Sequence, residues 1–174
     1  MAQIKRTGFG QVEPNHLTGI VDGSIYAQLP AAKALGDVLE QGRFAKYDYA
    51  AGEVDLVGDG PWLMIYNEEK LYDERRQNHK DFALQKSMFT EGVMTPRLIE
   101  INIGDIFTTN TFGANTSATA KVAGPDLDVK AKVYVDSATG YLSTTENTAG
   151  PVFQVAKVYT MPDGQPGVKL IRIA

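Results

Sequence analysis

Residue types that commonly carry catalysis are sparse in this chain of 174 residues. There is no cysteine, which excludes disulfides, thiolate metal sites and cysteine nucleophiles. The two histidines are His16 and His79. Neither has a second ligand one helical turn away, so their spacing argues against a tetrahedral zinc site.

The remaining candidates for chemistry are aspartates. Asp126 and Asp128 are two residues apart, and Asp48 and Asp136 lie in predicted hairpin turns. An aspartate in a turn usually accepts hydrogen bonds from its own backbone, so we expect these to cap turns. The sequence also has no phosphate-binding glycine loop and no nucleophile elbow. We therefore predict that the chain is not an enzyme, with no catalytic, cofactor-binding or metal-binding residues.

The composition of the chain argues against nucleic acid and membrane as binding partners. The net charge is −4, with 43% hydrophobic and 22% charged residues, an ordinary balance for a folded domain. A mildly acidic chain is a poor nucleic-acid binder, because that function needs a basic surface. No apolar run approaches the roughly 20 residues of a membrane span. The N-terminal stretch lacks the apolar core of a signal peptide, so we expect cytoplasmic synthesis and discount the glycosylation sequon at Asn115.

Alternating and apolar runs between turn residues predict a mainly β protein, a small antiparallel β-barrel or sandwich. The clearest signal is at the C-terminal end, where two alternating runs flank a turn with two prolines and two glycines. Residues 113–126 are small and polar, which predicts a flexible loop. The predicted strands and hairpins are 43–49 with 54–57, the apolar run 62–66, two strands within 97–112, a hairpin over 127–143 and the closing hairpin over 150–174.

Residues 1–41 predict an extended N-terminal arm ahead of a β-barrel domain at 42–174. The first 30 residues mix glycines and prolines with scattered apolar side chains, which disfavours a helix or a long strand. Residues 31–41 are compatible with a short helix. The arm lies either across a partner or back on its own barrel, and both interpretations stay open.

Residues 67–90 hold most of the dense charge, with acids before bases in the order that suits a helix dipole. They predict a loop or helical excursion from the barrel. Long ordered loops are often functional, although a solvated charged surface is the simpler interpretation.

Three motifs then carry a resemblance to a known family: GDIFTTN, KVYVDSATGYLS and FQVAKVYTMPDGQPGVKLIRI. In this order they resemble the head decoration, or cement, proteins of tailed bacteriophages, over roughly residues 42–174. The resemblance implies a virion structural protein on the capsid exterior that binds and stabilises the major capsid protein. It also implies association with further copies of itself, often as a trimer, and no active site.

For such a protein we predict that the arm supplies the contacts, since clamps use extended apolar segments and gain from multivalency. Deleting residues 1–30 should then leave a folded barrel that no longer binds capsids. The predicted capsid contacts are Phe9, Val12, Leu17, Ile20, Ile25, Tyr26 and Leu29.

Two alternatives remain. The chain could be a structural protein of the tail or of the head–tail connector, which copy number per virion would distinguish. It could instead be a carbohydrate-binding β-barrel module that uses Trp62 and the tyrosines. An exposed Trp62 would favour that alternative, and a buried Trp62 would count against it.

Overall fold

Antiparallel strands are the main regular elements of the structure, a computed structural model that describes residues 2–67, 82–90, 94–117 and 119–174. Within these ranges strand accounts for 42% and helix for 7%, which confirms the mainly β prediction. The strands are β1 (Ala2–Thr7), β2 (Val12–His16), β3 (Ile25–Tyr26), β4 (Val38–Leu39), β5 (Phe44–Asp48), β6 (Glu53–Asp55), β7 (Leu63–Ile65), β8 (Leu84–Gln85), β9 (Leu98–Ile99), β10 (Ile106–Thr109), β11 (Lys121–Leu127), β12 (Lys132–Val135), β13 (Leu142–Ser143), β14 (Val152–Thr160) and β15 (Pro166–Arg172).

Two larger sheets organise these strands. One has six strands in the order β13-β12-β14-β15-β10-β2, and the other has five in the order β3-β9-β7-β5-β6. The pairs β1–β11 and β4–β8 lie beside them. Over the described ranges no sheet closes on itself, so the sandwich, not the closed barrel, is the predicted architecture that fits.

The main core joins the two larger sheets. Phe44 of β5 lies 5.6 Å from Phe153 of β14, measured between ring centroids, and Phe153 lies 5.5 Å from Phe107 of β10. All three side chains are fully buried. The last contact is edge-to-face, a favourable geometry for aromatic rings. These rings therefore fix the five-stranded sheet against the six-stranded one.

The predicted closing hairpin is confirmed. Strands β14 and β15 pair antiparallel from Phe153 with Arg172 to Thr160 with Pro166. Gly164 sits in the turn at φ 84°, a left-handed conformation that glycine adopts without a steric penalty. The hairpin of β5 and β6 and the fully buried strand β7 also match the prediction.

Three local predictions are wrong. A 3-10 turn at Lys33–Leu35 replaces the short helix over 31–41, because Gly36 takes φ 94° and β4 then pairs with β8. Residues 121–126 of the predicted flexible loop, together with Leu127, form β11, which gains its hydrogen bonds from β1. The predicted hairpin over 127–143 forms only from β12 onward, where β12 pairs with β13; its first residues form a turn instead, in which Lys130 has φ 73°.

The N-terminal segment belongs to the sheets. Strand β1 pairs with β11, β2 pairs with β10 and β3 pairs with β9. Helix α1 (Thr18–Val21) lies between β2 and β3. The predicted boundary between an arm at 1–41 and a domain at 42–174 therefore matches no boundary in the described structure. The sequence left open whether the arm lies across a partner or back on its own barrel. In the described structure the segment lies against its own domain.

The buried carboxylate of Glu40 bonds the N-terminal segment to the rest of the domain. Glu40 is fully buried and accepts two hydrogen bonds from the guanidinium of Arg6, at 2.6 and 3.2 Å. The backbone N–H groups of Gly10 and Asn115 donate to it at 2.8 and 3.0 Å. The hydroxyl of Tyr141 donates at 2.6 Å. One carboxylate thus joins four separate parts of the chain, and we call these five residues the Glu40 cluster.

Most of the predicted charged excursion, residues 68–81, lies outside the described residues. Its C-terminal part forms β8 and helix α2 (Lys86–Thr90). Leu84 and Phe89 are buried in a second core cluster with Leu39 and Leu98. This part is therefore packed against the domain.

We now expect deletion of residues 1–30 to unfold the domain, contrary to the expectation from the sequence. The deletion removes Arg6 and the strands β1 and β2, so the Glu40 carboxylate would be left buried without its cation. Circular dichroism and thermal unfolding of the truncated chain test this. A truncated chain that keeps a cooperative transition would contradict the role assigned to the N-terminal strands.

Replacing Glu40 with glutamine should lower the free energy of unfolding by about 3–5 kcal/mol, because it leaves the Arg6 charge buried and uncompensated. Urea denaturation measures this change. Glu146→Gln, at an exposed position, is the matched control and should stay within about 0.5 kcal/mol of the parent. A cost for Glu40→Gln equal to that of the control would show that the ion pair does not hold the fold.

Candidate functional site

The structure distributes the seven predicted contact residues over its own core and surface. Phe9 and Leu17 are buried. Val12 and Ile25 pack against the main core, while Tyr26 and Leu29 pack against the second one. Ile20 is exposed, with 41% of its surface accessible. The sequence could not separate these cases, because an apolar residue that packs inward looks the same as one that faces a partner.

Ile20 lies on α1, which a buried aspartate fixes in place. The Asp105 carboxylate accepts hydrogen bonds from the backbone N–H and the hydroxyl of Thr18, both at 3.0 Å. It also accepts a hydrogen bond from the backbone N–H of Asn102 at 2.8 Å. Gly104 N–H donates to the carbonyl oxygen of Arg172 at 2.9 Å. Asp105 therefore holds α1 and the turn at 102–105 together, and that turn is bonded to the end of β15.

Exposed apolar side chains lie on these three connected segments. Val21 follows Ile20 on α1 and is 82% exposed. Ile103 stands in the turn and is 70% exposed, and Ile173 follows β15 and is 39% exposed. Single exposed apolar residues are common on protein surfaces, so these four stand out only because hydrogen bonds connect the segments that carry them. We call Ile20, Val21, Ile103 and Ile173 the Asp105 patch.

The sequence identified one member of this patch. Val21 and Ile173 were missed because they lie in short apolar runs typical of strands and helices. Ile103 offered a usable signal, since an isoleucine directly before the turn residues Gly104 and Asp105 has little core to occupy. Nothing in the sequence marks Glu40 as a buried ion.

A cleft of about 290 Å³ lies between the two larger sheets. Trp62, Lys46 and Glu100 line it from the five-stranded side, and Arg172 and the loop at 148–151 line it from the other. Trp62 is 8% exposed, and the ammonium of Lys46 lies 5.0 Å from its ring centroid. Trp62 is thus buried in the main core, which counts against a carbohydrate-binding module that uses this ring as its platform, although the edge of the indole borders the cleft. We call this the Trp62 cleft.

A second cleft, of about 350 Å³, opens beside Tyr141. Small residues such as Gly113, Ala123 and Gly124 form much of its wall. Its one charged lining residue, Asp136, accepts hydrogen bonds from the backbone of Ala138 and the hydroxyl of Thr139. Asp136 therefore caps its own turn, as the sequence predicted, and this cleft offers little chemistry.

The described residues hold no group of three or more histidines, cysteines, aspartates or glutamates that could bind a metal ion. No helix among them is long and apolar enough to cross a membrane. The Asn115 side chain is buried and donates to the carbonyl oxygen of Gly8 at 2.6 Å. A glycan could not be attached there in the folded chain.

No family model, curated protein or solved structure matches this chain.

Tyr141 is the titratable group most affected by the Glu40 cluster. Burial, and then the negative charge of Glu40, raises its pKa well above the ordinary value of 10.0. The folded chain thus holds this proton more tightly than the unfolded chain. Its contribution to stability is complete below about pH 10 and is lost as the pH rises further.

Replacing Tyr141 with phenylalanine should therefore make the alkaline loss of stability shallower, by up to about 1.4 kcal/mol per pH unit above pH 10. A residual slope should remain, because burial also raises the pKa of Tyr47. Urea denaturation at several alkaline pH values measures the slope. Tyr49→Phe, at a 71% exposed position, is the control. Equal slopes for the Tyr141 variant and the parent would refute this assignment.

Proposed function

We propose that the chain is a virion structural protein that decorates and stabilises a phage capsid by binding the major capsid protein through the Asp105 patch. The observation that carries the proposal is the set of exposed apolar residues on α1, the turn at 102–105 and the end of β15, since the turn is hydrogen-bonded to both other segments. The resemblance of residues 42–174 to head decoration proteins supports the same function.

The proposed contact with the capsid lies at the end of the six-stranded sheet, and not along the whole N-terminal arm that the sequence suggested. Phe9 and Leu17 are unavailable, because they are buried in the chain's own core. Val21 and Ile103, by contrast, expose most of their surface. The N-terminal segment still has an indirect role in this proposal, because its strand β2 directly precedes α1 and so positions that helix.

Rigidity favours this surface. The hydrogen bonds to Asp105 hold α1 and the turn at 102–105 before any partner arrives, so binding would not have to order them. A small apolar surface gives modest affinity for one site. Repetition over a lattice raises the overall affinity when copies are linked as a homo-oligomer.

The first test is the copy number of the chain in purified virions, by quantitative mass spectrometry against the major capsid protein. Capsid decoration predicts a number comparable to that protein or a simple fraction of it. A number that matches a single ring would instead assign the chain to the tail or head–tail connector. Absence from the particle would refute both structural functions.

The second test locates the contact. Val21→Asp and Ile103→Asp should each lower binding to particles that lack the chain by about tenfold or more, since an aspartate would be desolvated in the interface. Val57→Asp is the matched control, because Val57 is 78% exposed and lies outside the patch. Co-sedimentation measures the bound fraction. If all three variants bind like the parent, the patch is not the contact even when the copy number is high.

A further inference from the structure

We infer that the Trp62 cleft is a binding site for an acidic saccharide, a sugar residue that carries a carboxylate. This inference does not rest on capsid binding, because the side chains that line the cleft differ from those of the Asp105 patch. Four features of the cleft support it: its size, an indole wall, unpaired cations and an unpaired carboxylate.

The size and position suit one small ligand. A volume of about 290 Å³ is at the lower end of the range for small-molecule sites. The cleft also lies between two packed sheets, so its walls are set by the core of the fold. Phe44 and Phe153, which join those sheets, are fully buried. The site is therefore formed before a ligand binds.

The indole of Trp62 supplies one wall. The loop backbone lies close against its edge, since a Cβ on Gly150 would stand 3.2 Å from both Cδ1 and Nε1. No described residue accepts a hydrogen bond from the indole N–H, which borders the cleft. A ligand oxygen would satisfy this donor at the edge of the ring, while the rest of the indole is buried in the main core.

The cations that line the cleft lack carboxylate partners among the described residues. Lys46 of β5 lies opposite Asp55 of β6 in the antiparallel pairing, but no ion pair forms between them. Arg172 uses Nε on the carbonyl oxygen of Ala174 and Nη1 on that of Ile101. Its Nη2 has no described acceptor. Two positive groups with free donors therefore line the same small space.

The negative group in the cleft is Glu100. Its carboxylate makes no ion pair or hydrogen bond with a described residue. Together with Lys46 on the same side and Arg172 on the other, Glu100 leaves the lining with a net single positive charge, which favours a ligand with one negative charge. A carboxylate accepts hydrogen bonds from hydroxyl groups. One negative charge and several hydroxyls on an apolar ring together describe a carboxylated sugar.

Trp62 is the chain's one tryptophan, so its fluorescence reports the cleft directly. The full-length chain is titrated with glucuronic acid and with N-acetylneuraminic acid, against glucose and sodium acetate at equal ionic strength. We expect a saturable change in emission with at least one acidic sugar, and an affinity at least about tenfold weaker for glucose and acetate. The same change with a polyuronate oligosaccharide would identify a glycan, and not only the free sugar, as a ligand.

Lys46→Gln should weaken the binding of the acidic sugar by about tenfold, since a half-buried cation that pairs with the ligand is lost. Lys132→Gln, at an exposed position on β12, should bind like the parent. Thermal unfolding checks that both variants remain folded. The inference is overturned if no acidic sugar gives a saturable change, if glucose or acetate binds equally well, or if the two lysine variants behave alike.

Discussion

The fold depends on a charge pair that water cannot reach. The side chains of Arg6 and Glu40 are 1% and 0% exposed, and desolvating two such ions costs several kcal/mol each. The structure offsets this cost by giving the carboxylate two backbone donors and a tyrosine hydroxyl beside the guanidinium. Arg6 in turn donates to the carbonyl oxygens of Gly8 and Gly113. The arrangement is stable only while all these segments are in place.

That requirement explains why the N-terminal segment is part of the domain. If the N-terminal segment left the surface, Glu40 would stay buried without Arg6, so β1 and β2 stay paired and Phe9 between them is buried. The two surfaces proposed to bind partners both lie where strands of the sheets end. The Asp105 patch and the Trp62 cleft both lie near the end of β15, where the Arg172 backbone bonds the turn at 104 and its side chain lines the cleft.

The two surfaces differ in the chemistry they offer. The patch is apolar and held by hydrogen bonds to one buried aspartate, which suits a protein surface that repeats in a lattice. The cleft is small and charged, with an aromatic wall, which suits a single polar ligand. Under the two proposals, the chain would attach through the patch and present the cleft, since the two surfaces use different side chains.

The sequence by itself determined the β class, the closing hairpin, the hairpin of β5 and β6, and the buried strand β7. Those features rest on local signals, namely alternation and the turn preferences of proline and glycine, that act over a few residues. Tertiary structure decided the rest. Strand β11 forms in a polar segment because it pairs with β1. The predicted helix over 31–41 does not form, because Gly36 adopts a positive φ and β4 pairs with β8.

The same division applies to the functional surfaces. Sequence chemistry singled out Ile20 and Trp62 as apolar and aromatic candidates, but it could not say which side chains face solvent. Exposure depends on contacts between residues far apart in the chain: Arg6 with Glu40, Thr18 with Asp105, and Lys46 with Trp62. Such pairs leave no periodic pattern in a single sequence, so only the folded chain reveals which apolar residues form the core and which remain available to a partner.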